Sequence, residues 1–211
     1  MSPNLLLIFE LIGTVAFAAS GAMVGLSKKM DIFGIAALGT VTAVGGGVIR
    51  DLVLGNTPPA TFRNPVYALT AIAVSIILFV PAVRRFLFKK QSAYDKIMLL
   101  MDSLGLGIFT AVGIETAFLS GNTGIFLLVF VGMITGTGGG IIRDILAGNT
   151  PYILVKHFYA TASLIGAAAF ILLWNFFGQS FAFAGCIITV LVLRLLAAKF
   201  RWSLPKAKDE T

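Results

Sequence analysis

Apolar runs of about 20 residues, each long enough to cross a hydrocarbon core roughly 30 Å thick, recur along the whole of this 211-residue chain. This constrains the fold more than any other feature. In lipid every backbone N–H and C=O needs a partner within the protein, so the spanning structures are helices or closed barrels, and runs of this length are helical. Charged residues make up 12% of the chain, where soluble domains carry about 25%. The longest polar stretch, Ser203 to Thr211, is a short charged tail. The expected fold is therefore an all-α membrane protein, with a single transmembrane domain over residues 1–200 and a tail at 201–211. Seven transmembrane helices are predicted, over 4–26, 32–54, 64–83, 97–119, 122–146, 153–175 and 179–199.

The basic residues orient these spans. Lys28 and Lys29 fall in the first connection, and Arg84, Arg85, Lys89, Lys90 and Lys96 in the third. Lys156 is in the fifth, and Lys199, Arg201, Lys206 and Lys208 close the chain. With seven crossings all of them share one face, and the opposite face receives only Arg63. Positive loops remain cytoplasmic, which places the N-terminus outside and the tail in the cytoplasm. With no targeting or retention signal read in the sequence, the expected membrane is a prokaryotic inner membrane. The net charge of +7 does not indicate nucleic acid, because the basic residues lie in short loops rather than on a folded polar face. They are expected to meet lipid headgroups. Ala16-Phe17-Ala18 resembles a signal-peptidase site, but no Lys or Arg precedes it, so the first span is read as retained. The lone Cys186 is read as a packing residue, and the lone His157 makes no metal site.

Residues 45–58 read GGGVIRDLVLGNTP and residues 138–151 read GGGIIRDILAGNTP, with ten of fourteen positions identical at an offset of 93. Gly39 and Thr42 align with Gly132 and Thr135 at the same offset. With a slip of one residue, Glu10, Gly13, Phe17 and Gly21 align with Asp102, Gly105, Phe109 and Gly113. The two copies cover about 4–88 and 95–175. Each contains three spans, and an odd number of crossings inverts the second copy relative to the first. Inverted repeats are a recurrent plan of transport proteins, with the solute path at the repeat interface. The seventh span, 179–199, has no partner and is expected to act as a brace.

Three consecutive glycines in mid-span give up helix propensity and expose backbone, each by about 1 kcal/mol relative to alanine. Gly45, Gly46, Gly47 and Gly138, Gly139, Gly140 are thus expected to break two helices that line a path, the other reading being close helix packing. Arg50, Asp51, Arg143 and Asp144 follow the glycines. Charges at this depth cost several kcal/mol unless they meet partners or water. At the α-helical rise, Arg50 and Arg143 lie roughly 10 Å to either side of the midplane, which argues against pairing of Arg50 with Asp144. Adjacent Arg and Asp are expected on different helix faces. Two symmetric polar vestibules joined at a glycine waist fit these spacings, with each arginine on backbone carbonyls or a local acid and each aspartate near the start of a short half-helix. A purely structural salt-bridge role is the other reading. Glu10 and Asp102 are placed either at path mouths or at the interface. Glu115 either attracts cations or sits near the outer interface, and Arg194 is expected to snorkel to the inner headgroups.

With its doubled GGG-x-I-R-D-x-x-x-G-N-T-P motif, the chain resembles prokaryotic members of the trimeric intracellular cation channel family over residues 4 to about 200. The resemblance implies a homotrimer of seven-helix protomers, each with an hourglass pore for monovalent cations, chiefly potassium but also sodium. It also implies kinks of the second and fifth helices at Gly45–Gly47 and Gly138–Gly140. Animal members carry a Lys-Glu pair on the fourth helix, where this chain has Ile114-Glu115. A potassium-permeable channel is the leading expectation. A secondary transporter of a small zwitterion such as glycine is the alternative. No nucleophile–base set, metal-ligand cluster or nucleotide loop suggests an enzyme, a metal or another cofactor. Membrane lipids and monovalent cations are the expected partners.

Overall fold

The computed structural model describes residues 3–155 and 158–202. Lys156, His157 and the tail from Ser203 lie outside the described residues. Among the described residues the chain is entirely helical: α1 (Pro3–Ser27), α2 (Ile32–Val53), α3 (Ala60–Arg63), α4 (Val66–Phe79), α5 (Pro81–Phe88), α6 (Gln91–Leu119), α7 (Ile125–Leu146), α8 (Tyr152–Val155), α9 (Ala160–Phe177) and α10 (Gln179–Phe200). Six of these, α1, α2, α6, α7, α9 and α10, are long and apolar enough to cross a membrane. Their outward faces carry apolar side chains such as Ile8, Phe126, Phe176 and Ile188, while seven charged residues among those described are buried inside. This polarity is the reverse of a soluble bundle and identifies a membrane protein.

Local chemistry explains where the helices start and stop. Asp31 caps α2, its carboxylate accepting the Gly34 N–H at 2.7 Å. The repeated Gly-Asn pair ends α2 and α7 in the same way. Gly55 and Gly148 adopt positive φ of 74° and 66°, and Asn56 and Asn149 donate back to the Asp51 and Asp144 carbonyls, each at 2.8 Å. This is the glycine-dependent Schellman closure.

The predicted third span, 64–83, is shorter than expected. It forms the 14-residue α4, which ends at an extended Val80. The cause is Pro81, which disfavours helical backbone at the residue before it and opens α5. The predicted sixth span is divided into the single turn α8 and the longer α9. The breaks expected at the triple glycines do not occur, because α2 and α7 are helical without interruption through Gly45–Gly47 and Gly138–Gly140.

The glycines act by close approach instead. A Cβ on Gly46 would run into the carbonyl oxygen of Thr135, and one on Gly139 into that of Thr42. Thr42 and Thr135 are repeat-related, so the crossing of α2 and α7 is reciprocal. So is the packing of α1 on α6: a Cβ on Gly105 would strike the Phe17 ring, and one on Gly13 would lie 3.1 Å from Phe109. The two rings lie 5.3 Å apart between centroids. α1, α2 and α4 pack together, as do α6, α7 and α9, while α10 packs on α6 and α9.

Candidate functional site

The last turn of α2 carries Arg50 and Asp51, both buried. The guanidinium curls back along its own helix, so that Arg50 Nε donates to Asp51 Oδ1 at 2.8 Å. This corrects the expectation that adjacent Arg and Asp diverge, because the long arginine stem spans the angle between their Cβ directions. Asp51 Oδ2 accepts the Ala60 N–H at 2.8 Å, so the same carboxylate caps α3. Across the bundle Arg50 Nη1 lies 3.9 Å from Glu10 Oε1 on α1. Tyr67 of α4 donates to Glu10 Oε2 at 2.5 Å. Glu10, Arg50 and Tyr67 line a cavity of 30 Å³, large enough for a water or two.

The last turn of α7 repeats the plan at the other end of the bundle. Arg143 Nε donates to Asp144 Oδ1 at 2.9 Å, and Asp144 Oδ2 accepts the Tyr152 N–H at 2.8 Å, capping α8. Arg143 Nη1 donates to Asp102 Oδ1 at 2.6 Å and to Ser20 Oγ at 2.5 Å. Tyr159 places its hydroxyl 3.5 Å from the same Asp102 oxygen. Here an additional cation is present. Arg194 of α10 donates from Nη2 to Asp102 Oδ2 at 3.1 Å and from Nε to Ser103 Oγ at 3.3 Å. Its guanidinium also lies 4.8 Å over the Tyr159 ring. Asp102 and Arg194 form part of the wall of a cavity of 610 Å³, whose rim includes Gln91, Asn149 and Arg201.

Several sequence expectations change against this geometry. Arg194 is 5% exposed. It does not snorkel to headgroups, because Asp102 and Ser103 receive it inside the bundle. Asp102, also buried, is the shared acceptor of two arginines rather than an interfacial residue. Glu115 is buried too and accepts a hydrogen bond from Gln179 at the start of α10. It takes part in neither cluster. Arg50 pairs with Asp51 and Glu10, and Arg143 with Asp102 and Asp144. The separation of Arg50 from Asp144 predicted by helix rise therefore agrees with the observed pairing. Tyr67 and Tyr159 were missed. They stand 92 residues apart, the same separation as Glu10 and Asp102, and that shared offset was the available signal.

Between the two cavities α2 and α7 are in backbone contact at Gly46 and Gly139. The arrangement offers a recess with a carboxylate in its wall at each end of the bundle and a tight backbone crossing between them, flanked by Ile49 and Ile142. Each recess reaches one of the repeat-related acids, Glu10 or Asp102, and the larger one carries the additional arginine, Arg194.

The family model described as Glycine transporter matches residues 7–82 and 99–175. The chain is 36% identical over 206 residues to the UPF0126 inner membrane protein YadS of Escherichia coli, covering 95% of this chain and 96% of that protein. A solved TRIC cation channel structure superposes with a TM-score of 0.85 at 38% identity, covering 97% of this chain and 98% of that one. The trimeric intracellular cation channel orthologue from Rhodobacter sphaeroides does so at 0.85 and 36% identity, covering 94% and 100%.

Proposed function

The chain belongs to the trimeric intracellular cation channel family, and on that premise we propose that it is a potassium-permeable monovalent cation channel with one hourglass pore in each protomer of a homotrimer. The observation that carries the reading is the pair of acid-bearing recesses at opposite ends of the bundle, separated by the reciprocal glycine crossing of α2 and α7. Ions would pass where Gly46 and Gly139 meet, once the two helices part. Glu10, Asp51, Asp102 and Asp144 offset the buried arginines that would otherwise repel cations.

In this reading the chain crosses the inner membrane seven times, as two inverted three-helix repeats (α1, α2, α4 and α6, α7, α9) and a seventh helix, α10. The 14-residue α4 covers only about 21 Å at the helical rise, and the turn α3 and the amphipathic α5 would complete its crossing at the two interfaces. The N-terminus is placed outside by the basic residues gathered at the other face.

The test is single-channel recording from purified protein in a planar bilayer across a KCl gradient. Discrete openings that reverse near the potassium potential support the channel, and silent bilayers at verified incorporation count against it. One observation favours a second reading: the 610 Å³ cavity presents both a carboxylate, Asp102, and a guanidinium, Arg194. These are the groups that would hold the ammonium and carboxylate of a small zwitterion such as glycine. Saturable uptake of radiolabelled glycine without channel currents would establish that transporter instead.

A further inference from the structure

The charged residues and tyrosines of the two clusters match by the repeat except at one position. Glu10 and Asp102, Tyr67 and Tyr159, Arg50 and Arg143, and Asp51 and Asp144 are all paired by the repeat. Arg194 has no such partner, because it comes from α10, outside both copies. Around Glu10 there are two carboxylates and one guanidinium, leaving one negative charge in excess. Around Asp102 there are two of each, and the charges balance.

The two arginines on Asp102 are held differently. Arg143 is fully enclosed and fixed by Asp102 at 2.6 Å, Ser20 at 2.5 Å and Asp144 at 2.9 Å. Arg194 reaches the opposite carboxylate oxygen at 3.1 Å and lines the open 610 Å³ cavity. Removing Arg194 from Asp102 would therefore uncover one carboxylate oxygen toward an accessible recess, while Arg143 continued to hold the other.

We propose that Arg194 is a tethered counter-cation, its guanidinium filling at Asp102 a site that a free monovalent cation would otherwise occupy. The proposal rests on the cation-channel reading for its effect on conduction, but not for the site itself. The pore is then electrically asymmetric, with one negative charge in excess around Glu10 and a charge-balanced, self-blocked acid at Asp102. An ion crossing the large cavity must displace Arg194 or pass it.

The test uses the full-length protein with Arg194→Gln, Arg194→Lys and the double variant Arg194→Gln/Asp102→Asn. Two properties are measured: single-channel conductance, and the thermal stability of detergent-purified protein in potassium against N-methyl-D-glucamine chloride. R194Q is expected to raise conductance about threefold, since an uncompensated acid in a low-dielectric recess concentrates cations. It is also expected to gain a potassium-dependent stabilisation that the wild type lacks, and the double variant is expected to lose both gains. R194K, whose compact ammonium lacks the fork geometry, is expected to give a smaller gain of the same sign, and it carries the test if R194Q does not fold. Absence of both gains in the folded variants overturns the proposal, as does a gain that survives D102N. If neither wild type nor variants carry current, the channel reading fails, and potassium-dependent stabilisation alone then decides whether Arg194 fills a cation site.

Discussion

Gly46 of α2 lies against the carbonyl of Thr135 on α7, with no room between them for a Cβ. The repeat-related contact, Gly139 against Thr42, sits beside it. Together they bring two helix backbones into contact at the centre of a bundle whose charged groups lie toward its two ends.

Either glycine changed to alanine is expected to push the helices apart. Overpacking of this kind costs about 1–3 kcal/mol, and here the obstacle is backbone rather than a flexible side chain. G46A and G139A should each lower the thermal midpoint in detergent. G46L and G139L should abolish potassium current, and undiminished current in both would argue against a path through the crossing.

The contact between Phe17 and Gly105 can be examined in the same way. G105A places a methyl group into the Phe17 ring and is expected to destabilise the protein by about 1–3 kcal/mol. Combining it with Phe17→Leu should recover part of that loss. A double-mutant cycle that is strictly additive would mean that the two positions do not share this space.

Asp51 and Asp144 each serve an arginine and a backbone N–H. Asp51→Asn or Asp144→Asn leaves a buried guanidinium undercompensated, a change that typically costs about 3–5 kcal/mol in a buried pair. If they fold, both variants should show reduced cation preference, read from the reversal potential across a KCl gradient. Unchanged reversal potentials would remove these aspartates from the selectivity mechanism.

Tyr67 and Tyr159 are equivalent by sequence but not by geometry, with hydroxyl-to-acid distances of 2.5 Å and 3.5 Å. Tyr67→Phe is expected to cost about 1–3 kcal/mol, because Glu10 loses a close donor. Tyr159→Phe should cost less, since Arg143 and Arg194 already satisfy Asp102. Thermal denaturation of the two variants side by side checks the order, and equal losses would contradict it.

The sequence by itself was enough to establish a helical membrane protein and an internal repeat, and it singled out the charged residues of the two clusters but not their tyrosines. Span length, scarcity of charge and a fourteen-residue match are all local or periodic properties, so they can be read along a line. The turn chemistry was equally legible, since Gly55-Asn56 and Gly148-Asn149 end their helices by bonds that reach only five residues back. The tertiary structure decided what the glycines and the isolated charges do. Glycine lowers helix propensity and also permits close approach, and only the presence of a facing helix selects packing over a break at Gly45–Gly47. Arg194 looked like a headgroup anchor because its depth was judged from its own helix. Its acceptors, Asp102 and Ser103, lie about ninety residues away in the chain, and a buried charge takes its role from whichever partner the fold brings to it.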